Sequence, residues 1–248
     1  MNKQEIVYNF LLMPIKNAGK IMSCKANSII TTQTYHCNYD PDMSDIAIAF
    51  YKIIYGIDKL IEDGKLTYNK ELAGDTMCSF NTIANCIPEA GNSAKQRTPY
   101  INWPDYLKNY YDCYHCMANL WLLPLWIGRS YPKMEQQHRW ASKSKNGIND
   151  YMDRFLLFLK NGNYPKFTNQ YEIYGKNFPS FDDFCKKHYL MGPNCYVEPD
   201  GTITEYSQDG SPEKIIKRMA DLIKARAELI SKDQEKCDKL FLLWQRLS

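Results

Sequence analysis

The chain has 248 residues, a formal net charge of +3, 44% hydrophobic and 24% charged residues, a balance that buries a full core in one domain without metal or disulfide support. So small a net charge excludes a general polyanion binder and confines any nucleic-acid surface to a local patch. Nine cysteines, an odd number scattered from Cys24 to Cys237, fit reduced thiols better than a disulfide framework, and with no secretory cleavage pattern the expectation is a cytoplasmic protein.

The first apolar run, Ile6 to Ile15, is interrupted by Tyr8, Asn9 and Pro14, and no stretch approaches the roughly 18 apolar residues of a membrane span. The segment 44-SDIAIAFYKIIYGIDKLIEDG-64 predicts the clearest helix. Ile46, Ala49, Phe50, Ile53, Ile54, Ile57, Leu60 and Ile61 follow the spacing of one buried face, with Ser44 as cap at the start and Gly64 at the end. Residues 88–104 are rich in turn formers and read as a long loop.

Further along, 148-INDYMDRFLLFLKNG-162 reads as a helix, 180-SFDDFCKKHYL-190 as a short helix capped by Ser180, and 196-YVEPDGTITEY-206 as a hairpin turning at Pro199-Asp200-Gly201. Ser211 and Pro212 start a helix with the apolar stripe Ile215, Ile216, Met219, Leu222, Ile223 and Ile230. A second stripe, Cys237, Leu240, Phe241, Trp244 and Leu247, closes the chain. The charged segment 231-SKDQEK-236 between them is either a break or a solvated turn of one long helix. The expected class is mainly α, with some β, in a single domain over 1–248 and a C-terminal helical segment over 211–248.

Chemistry concentrates in 113-CYHCMANLWLLPLWIGR-129. Cys113-x-x-Cys116 has the spacing of half a zinc site, and 185-CKKH-188 supplies a second half, so that Cys113, Cys116, Cys185 and His188 form a Cys3His ligand set for a structural zinc. The competing reading makes these cysteines small core residues, as free cysteines usually are. The sequence holds no G-x-S-x-G, no P-loop and no G-x-G-x-x-G to point to hydrolase, nucleotide or dinucleotide chemistry.

Written as 115-HCMANLWLLP-124, the same stretch resembles the second half of the HNH endonuclease motif of restriction and phage-defence proteins, His-x-x-Gly-Asn-Leu-x-Leu-Leu, with Ala118 in place of the glycine. Upstream, 82-TIANCIP-88 stands where that family carries Thr-Ile-Glu-His-Ile-x-Pro, and 139-RWASKSK-145 is similar to the helix that follows. The resemblance covers residues 75–150 and implies a small two-strand-plus-helix unit inside a helical bundle. It implies a site at His115, Asn119 and Asn85, a divalent metal, and a setting in phage defence or mobile-element conflict. Ala84 and Asn85 replace the acidic ligand and the histidine base. Asparagine does not titrate as a base and alanine ligates nothing, so the resemblance implies an impaired nuclease unless Asp75 or Asp112 supplies a carboxylate and His115 acts as base in a rearranged site.

From Arg129 to Lys145 the chain carries Arg129, Lys133, Arg139, Lys143 and Lys145 against only Glu135, with Tyr131 and Trp140 interleaved and Lys95 and Arg97 in the preceding loop. Cations with interleaved aromatics are the ingredients of a groove for DNA or RNA, although a basic run is also a common solvated face. Two readings of the partner therefore stay open: a nucleic acid, or another protein bound by a non-enzymatic interaction module such as a defence component or phage-encoded inhibitor.

Overall fold

The computed structural model describes residues 1–17, 35–37, 41–56, 72–78, 100–124, 152–165, 172–207 and 211–248. The described chain is mainly helical, as the periodicities predict, with eight α-helices and two small two-stranded sheets among these residues. Helix α1 (Lys3–Leu12) starts at Asn2, whose side chain accepts the Glu5 N–H at 2.8 Å, and buries Val7, Phe10 and Leu11. Met13, forced toward extended backbone by Pro14, ends it. The chain enters β1 (Ile15–Asn17), which pairs in parallel with β2 (Tyr35–Cys37).

Ser44 caps α2 (Asp45–Tyr55) as expected, accepting from the Ala47 N–H at 3.3 Å while its own hydroxyl donates to the Pro41 carbonyl at 2.6 Å. Two features of this helix differ from the sequence reading. It ends at Gly56, not Gly64, because Gly56 takes the left-handed conformation (φ +63°) that lets its N–H return to the Lys52 carbonyl. Ile57, Leu60 and Ile61 lie outside the described residues. The buried stripe is Ala47, Phe50, Tyr51 and Ile54, with Ile46 and Ile53 at its margin. The face is turned toward Tyr51, whose hydroxyl donates to the Asp42 carbonyl at 3.1 Å.

Tyr51 also sets the approach of β3 (Leu72–Thr76). A Cβ added at Gly74 would overlap both the Tyr51 hydroxyl and the Asp42 carbonyl, so only glycine lets the strand lie there. β3 pairs antiparallel with β4 (Leu120–Pro124), Gly74 opposite Leu122 and Thr76 opposite Leu120. Between them α3 (Asp105–Cys113) buries Leu107, Tyr110, Tyr111 and Cys113, and the 3-10 turn Met117–Asn119 feeds β4.

Helix α4 (Met152–Phe158) runs into a wide turn, Leu159–Asn163, where Asn161 and Gly162 (φ +85°) leave helical dihedrals. The expected helix over 148–162 therefore loses its regular form after Phe158, and residues 148–151 lie outside the described set. After α5 (Glu172–Asn177), Ser180 caps α6 (Phe181–Lys187) by accepting the Asp183 N–H. The hairpin turns where predicted. Glu198 N–H donates to the Thr202 carbonyl at 2.7 Å, Thr204 N–H to that of Tyr196 at 2.9 Å, and Gly201 has φ +83°.

Helix α7 (Pro212–Lys232) begins with Pro212 in its first turn and buries all six residues of the predicted stripe. Full burial of one such aliphatic side chain is worth about 1.5–3 kcal/mol, so packing and not intrinsic propensity holds this helix in place. It packs on α1 and α3 and touches the turn before β4. The segment 231–236 is a break: Asp233 leaves helical dihedrals and caps α8 (Gln234–Leu247) by accepting the Lys236 N–H at 3.1 Å. Of the closing stripe, Cys237 and Leu240 are buried, Phe241 and Trp244 partly so, and Leu247 is exposed.

One residue of the α7 core is not apolar. Arg226 has no exposed surface; its Nε donates to the His188 carbonyl at 2.7 Å, and Nη1 donates to the carbonyls of Ala118 (2.7 Å) and Leu120 (2.8 Å). Its guanidinium carbon lies 6.0 Å over the Phe50 ring. Arg226 thereby joins α7 to the 3-10 turn, β4, the end of α6 and α2. Arg226→Met keeps much of the volume but leaves three carbonyls without their donor, at about 1–3 kcal/mol for each buried group orphaned. Urea unfolding is expected to show a loss of roughly 3 kcal/mol or more; a loss under about 1 kcal/mol would remove Arg226 from this role. For Gly74→Ala the same measurement is expected to show a loss of about 2 kcal/mol or more, since the obstruction includes backbone that cannot swing aside.

Candidate functional site

Helix α3 delivers Cys113 as its last residue, the turn Tyr114-His115 reverses the chain, and Cys116 precedes the 3-10 turn that ends at Asn119. The reversal is fixed from outside: the Ile15 N–H donates to the His115 carbonyl at 2.8 Å, and Pro14 bridges to Cys116. The His115 ring is half-buried and lies on the Tyr114 ring, with centroids 4.2 Å apart and planes 30° apart.

Asn119 has no exposed surface. Its amide nitrogen donates to the carbonyls of Cys78 (2.9 Å) and Tyr114, and its amide oxygen accepts the Cys78 N–H at 3.3 Å. Both donors and the acceptor oxygen are thus committed to the main chain. Its backbone completes the link, the carbonyl accepting the Met77 N–H at 2.8 Å and the N–H donating to Cys116 at 2.9 Å. Asn119 ties the end of β3 to the end of α3, and a side chain bonded in this way does not face water, metal or substrate.

Around it lies a buried polar cluster. The Tyr110 hydroxyl donates to the Cys78 carbonyl at 2.9 Å, and the Cys78 thiol is 3.7 Å from the Tyr206 hydroxyl and 3.9 Å from that of Tyr196. The Tyr206 hydroxyl in turn accepts the Met152 N–H at 2.9 Å. Burial raises the pKa of Tyr196 and Tyr206 well above the usual phenol value. Asp153, also buried, receives the Tyr206 N–H, the Ser207 N–H and the Ser207 hydroxyl on one carboxylate oxygen at 2.7–3.0 Å. These groups fasten the hairpin's exit to α4 and to the strand pair.

The Cys3His set predicted from the two short motifs does not assemble, and among the described residues no group of three or more His, Cys, Asp or Glu side chains is placed to hold a metal ion. Cys113 lies among Cys116 and Cys78, whereas Cys185 lies beside Cys195. The Cys113 thiol donates to the Asn109 carbonyl at 3.2 Å. Burial raises the Cys113 and Cys185 thiols far above their usual value and pushes Cys116 up to about 12, so all three stay protonated at neutral pH. The thiolate is the nucleophile, and these sites disfavour it.

His188 ends α6 inside an aromatic nest, its ring centroid 4.2 Å from Phe184, 4.8 Å from Phe178 and 4.9 Å from Tyr55. Its Nδ1 donates to the Phe184 carbonyl at 2.8 Å. Burial lowers its pKa to about 3, against that hydrogen bond and reinforced by the nearby Arg226 charge.

Asp75 stands opposite Trp121 in the strand pair, with one carboxylate oxygen accepting its neighbour Thr76 N–H at 2.8 Å. Asp112 is half-buried on α3. The strand that the structure pairs with β4 is Leu72–Thr76, which the sequence reading left unassigned. Asn85 and the segment 82–88 lie outside the described residues, as do Lys95, Arg97, Arg129, Lys133, Arg139, Lys143, Lys145 and the segment 139–145. Sequence reasoning missed Arg226, although a lone cation on the face of Leu222, Ile223 and Ile230 is a visible signal. It also missed Asp153 as a buried hydrogen-bond acceptor.

Comparison with protein-family models, curated proteins and solved structures finds no match to this chain.

Two outcomes test this geometry. Asn119→Asp keeps the shape but removes both amide donors and sets a carboxylate against two carbonyls, so thermal and urea unfolding are expected to show a loss of about 3 kcal/mol or more. Wild-type stability from the variant would remove Asn119 from the scaffold. For His188 the folded pKa is depressed: the unfolded chain takes its proton near 6.5 and the folded chain only near 3, so its contribution is whole above 6.5 and is lost as pH falls toward 3. Urea unfolding at pH 7 and pH 5 is expected to differ by about 2 kcal/mol in favour of pH 7, a difference that His188→Phe diminishes.

Proposed function

We propose that this protein acts by binding and not by cutting: a nucleic-acid-associated protein in which the segment resembling half of an HNH motif serves as scaffold. The observation that carries the absence of cleavage is Asn119, whose side-chain donors and acceptor are all bonded to the main chain in a site with no exposed surface. An HNH-type mechanism needs that segment to face a metal-bound phosphate, with a base and an acidic ligand opposite it. Ala84 and Asn85 stand at the corresponding upstream positions. Support for a nucleic-acid partner comes from the sequence: the basic residues between Arg129 and Lys145, with Tyr131 and Trp140 among them. The defence or mobile-element setting rests on the resemblance alone.

A second reading, a protein-interaction module, is favoured by the last helix. Leu242 is 53% exposed and Leu247 46%, beside the partly exposed Leu243 and Trp244. Salt separates the two readings. If Arg129, Lys133, Arg139, Lys143 and Lys145 contact phosphates, fluorescence anisotropy with labelled DNA or RNA is expected to give a log–log salt slope of about −3.5 to −4.5. Incubation with magnesium or manganese is expected to leave the nucleic acid intact. Metal-dependent cleavage that Asn119→Asp or His115→Ala abolishes without unfolding the protein overturns the scaffold reading. Absence of any salt-dependent binding overturns the nucleic-acid partner, and a stoichiometric protein complex that survives high salt establishes the second reading.

A further inference from the structure

No further inference is drawn: the strongest candidate, the open groove of about 510 Å³ between the start of α3 and the first half of α7, lined by Tyr106, Asn109, Lys217 and Lys224, carries nothing because Lys217 already pairs with Glu213 and no buried polar atom lacking a hydrogen-bond partner lies on its walls.

Discussion

A buried guanidinium bonded to carbonyl oxygens sets the arrangement of the described core. Removing the Arg226 charge from water costs several kcal/mol, and three main-chain carbonyls accept its hydrogen bonds. The offset comes from three short charge-assisted bonds and from the Phe50 face. Apolar packing around α7 is strong but indifferent to small rotations, because it scales with area and not direction. The guanidinium fork is directional. It specifies which carbonyls of the 3-10 turn and β4 face α7, and it places the end of α6 beside them.

That placement decides what the 113–124 segment does. With the Ala118 and Leu120 carbonyls turned toward Arg226, Asn119 between them is turned into the space between β3 and α3, where Cys78 and Tyr114 present main-chain groups that require partners. An asparagine fits that need because it carries donors and an acceptor in one small planar group. The residue type that a metal-dependent nuclease would use here is thus also the type that best closes a buried strand-to-helix junction. Motif spacing alone does not distinguish the two uses.

The features legible in the sequence were local ones. Ser44, Ser180 and Pro212 announce helix starts through a single turn of chain, and Pro199-Asp200-Gly201 specifies its own reversal. The α7 stripe was readable because its period persists through many turns. Leu72–Thr76 escaped notice because its Gly74 and Asp75 are poor strand formers, and its pairing is set by a partner distant in the chain and by the Tyr51 contact. The end of α2 was misplaced because apolar periodicity continues past Gly56, so pattern and backbone freedom pointed to different glycines. In the candidate site, 185-CKKH-188 has ligand spacing, yet its histidine closes a helix within aromatic rings and its cysteine is buried beside Cys195. Sequence spacing records separation along the chain and not the polarity of the destination.

The end of α6 has a mechanical consequence. Tyr189 adopts a left-handed conformation (φ 55°), an uncommon choice for a tyrosine, and closes the helix with Tyr189 N–H donating to Lys186 and Leu190 N–H donating to Cys185. Its hydroxyl donates to the Asp233 carboxylate at 2.6 Å, while the adjacent His188 carbonyl receives Arg226. The dipeptide His188-Tyr189 therefore reaches from Arg226 within α7 to Asp233 just past its end, about two helical turns away. One residue added or removed between Arg226 and Asp233 would swing one grip about 100° around the helix axis, out of reach of its partner. The spacing of those two side chains is as much a constant of the structure as the side chains themselves.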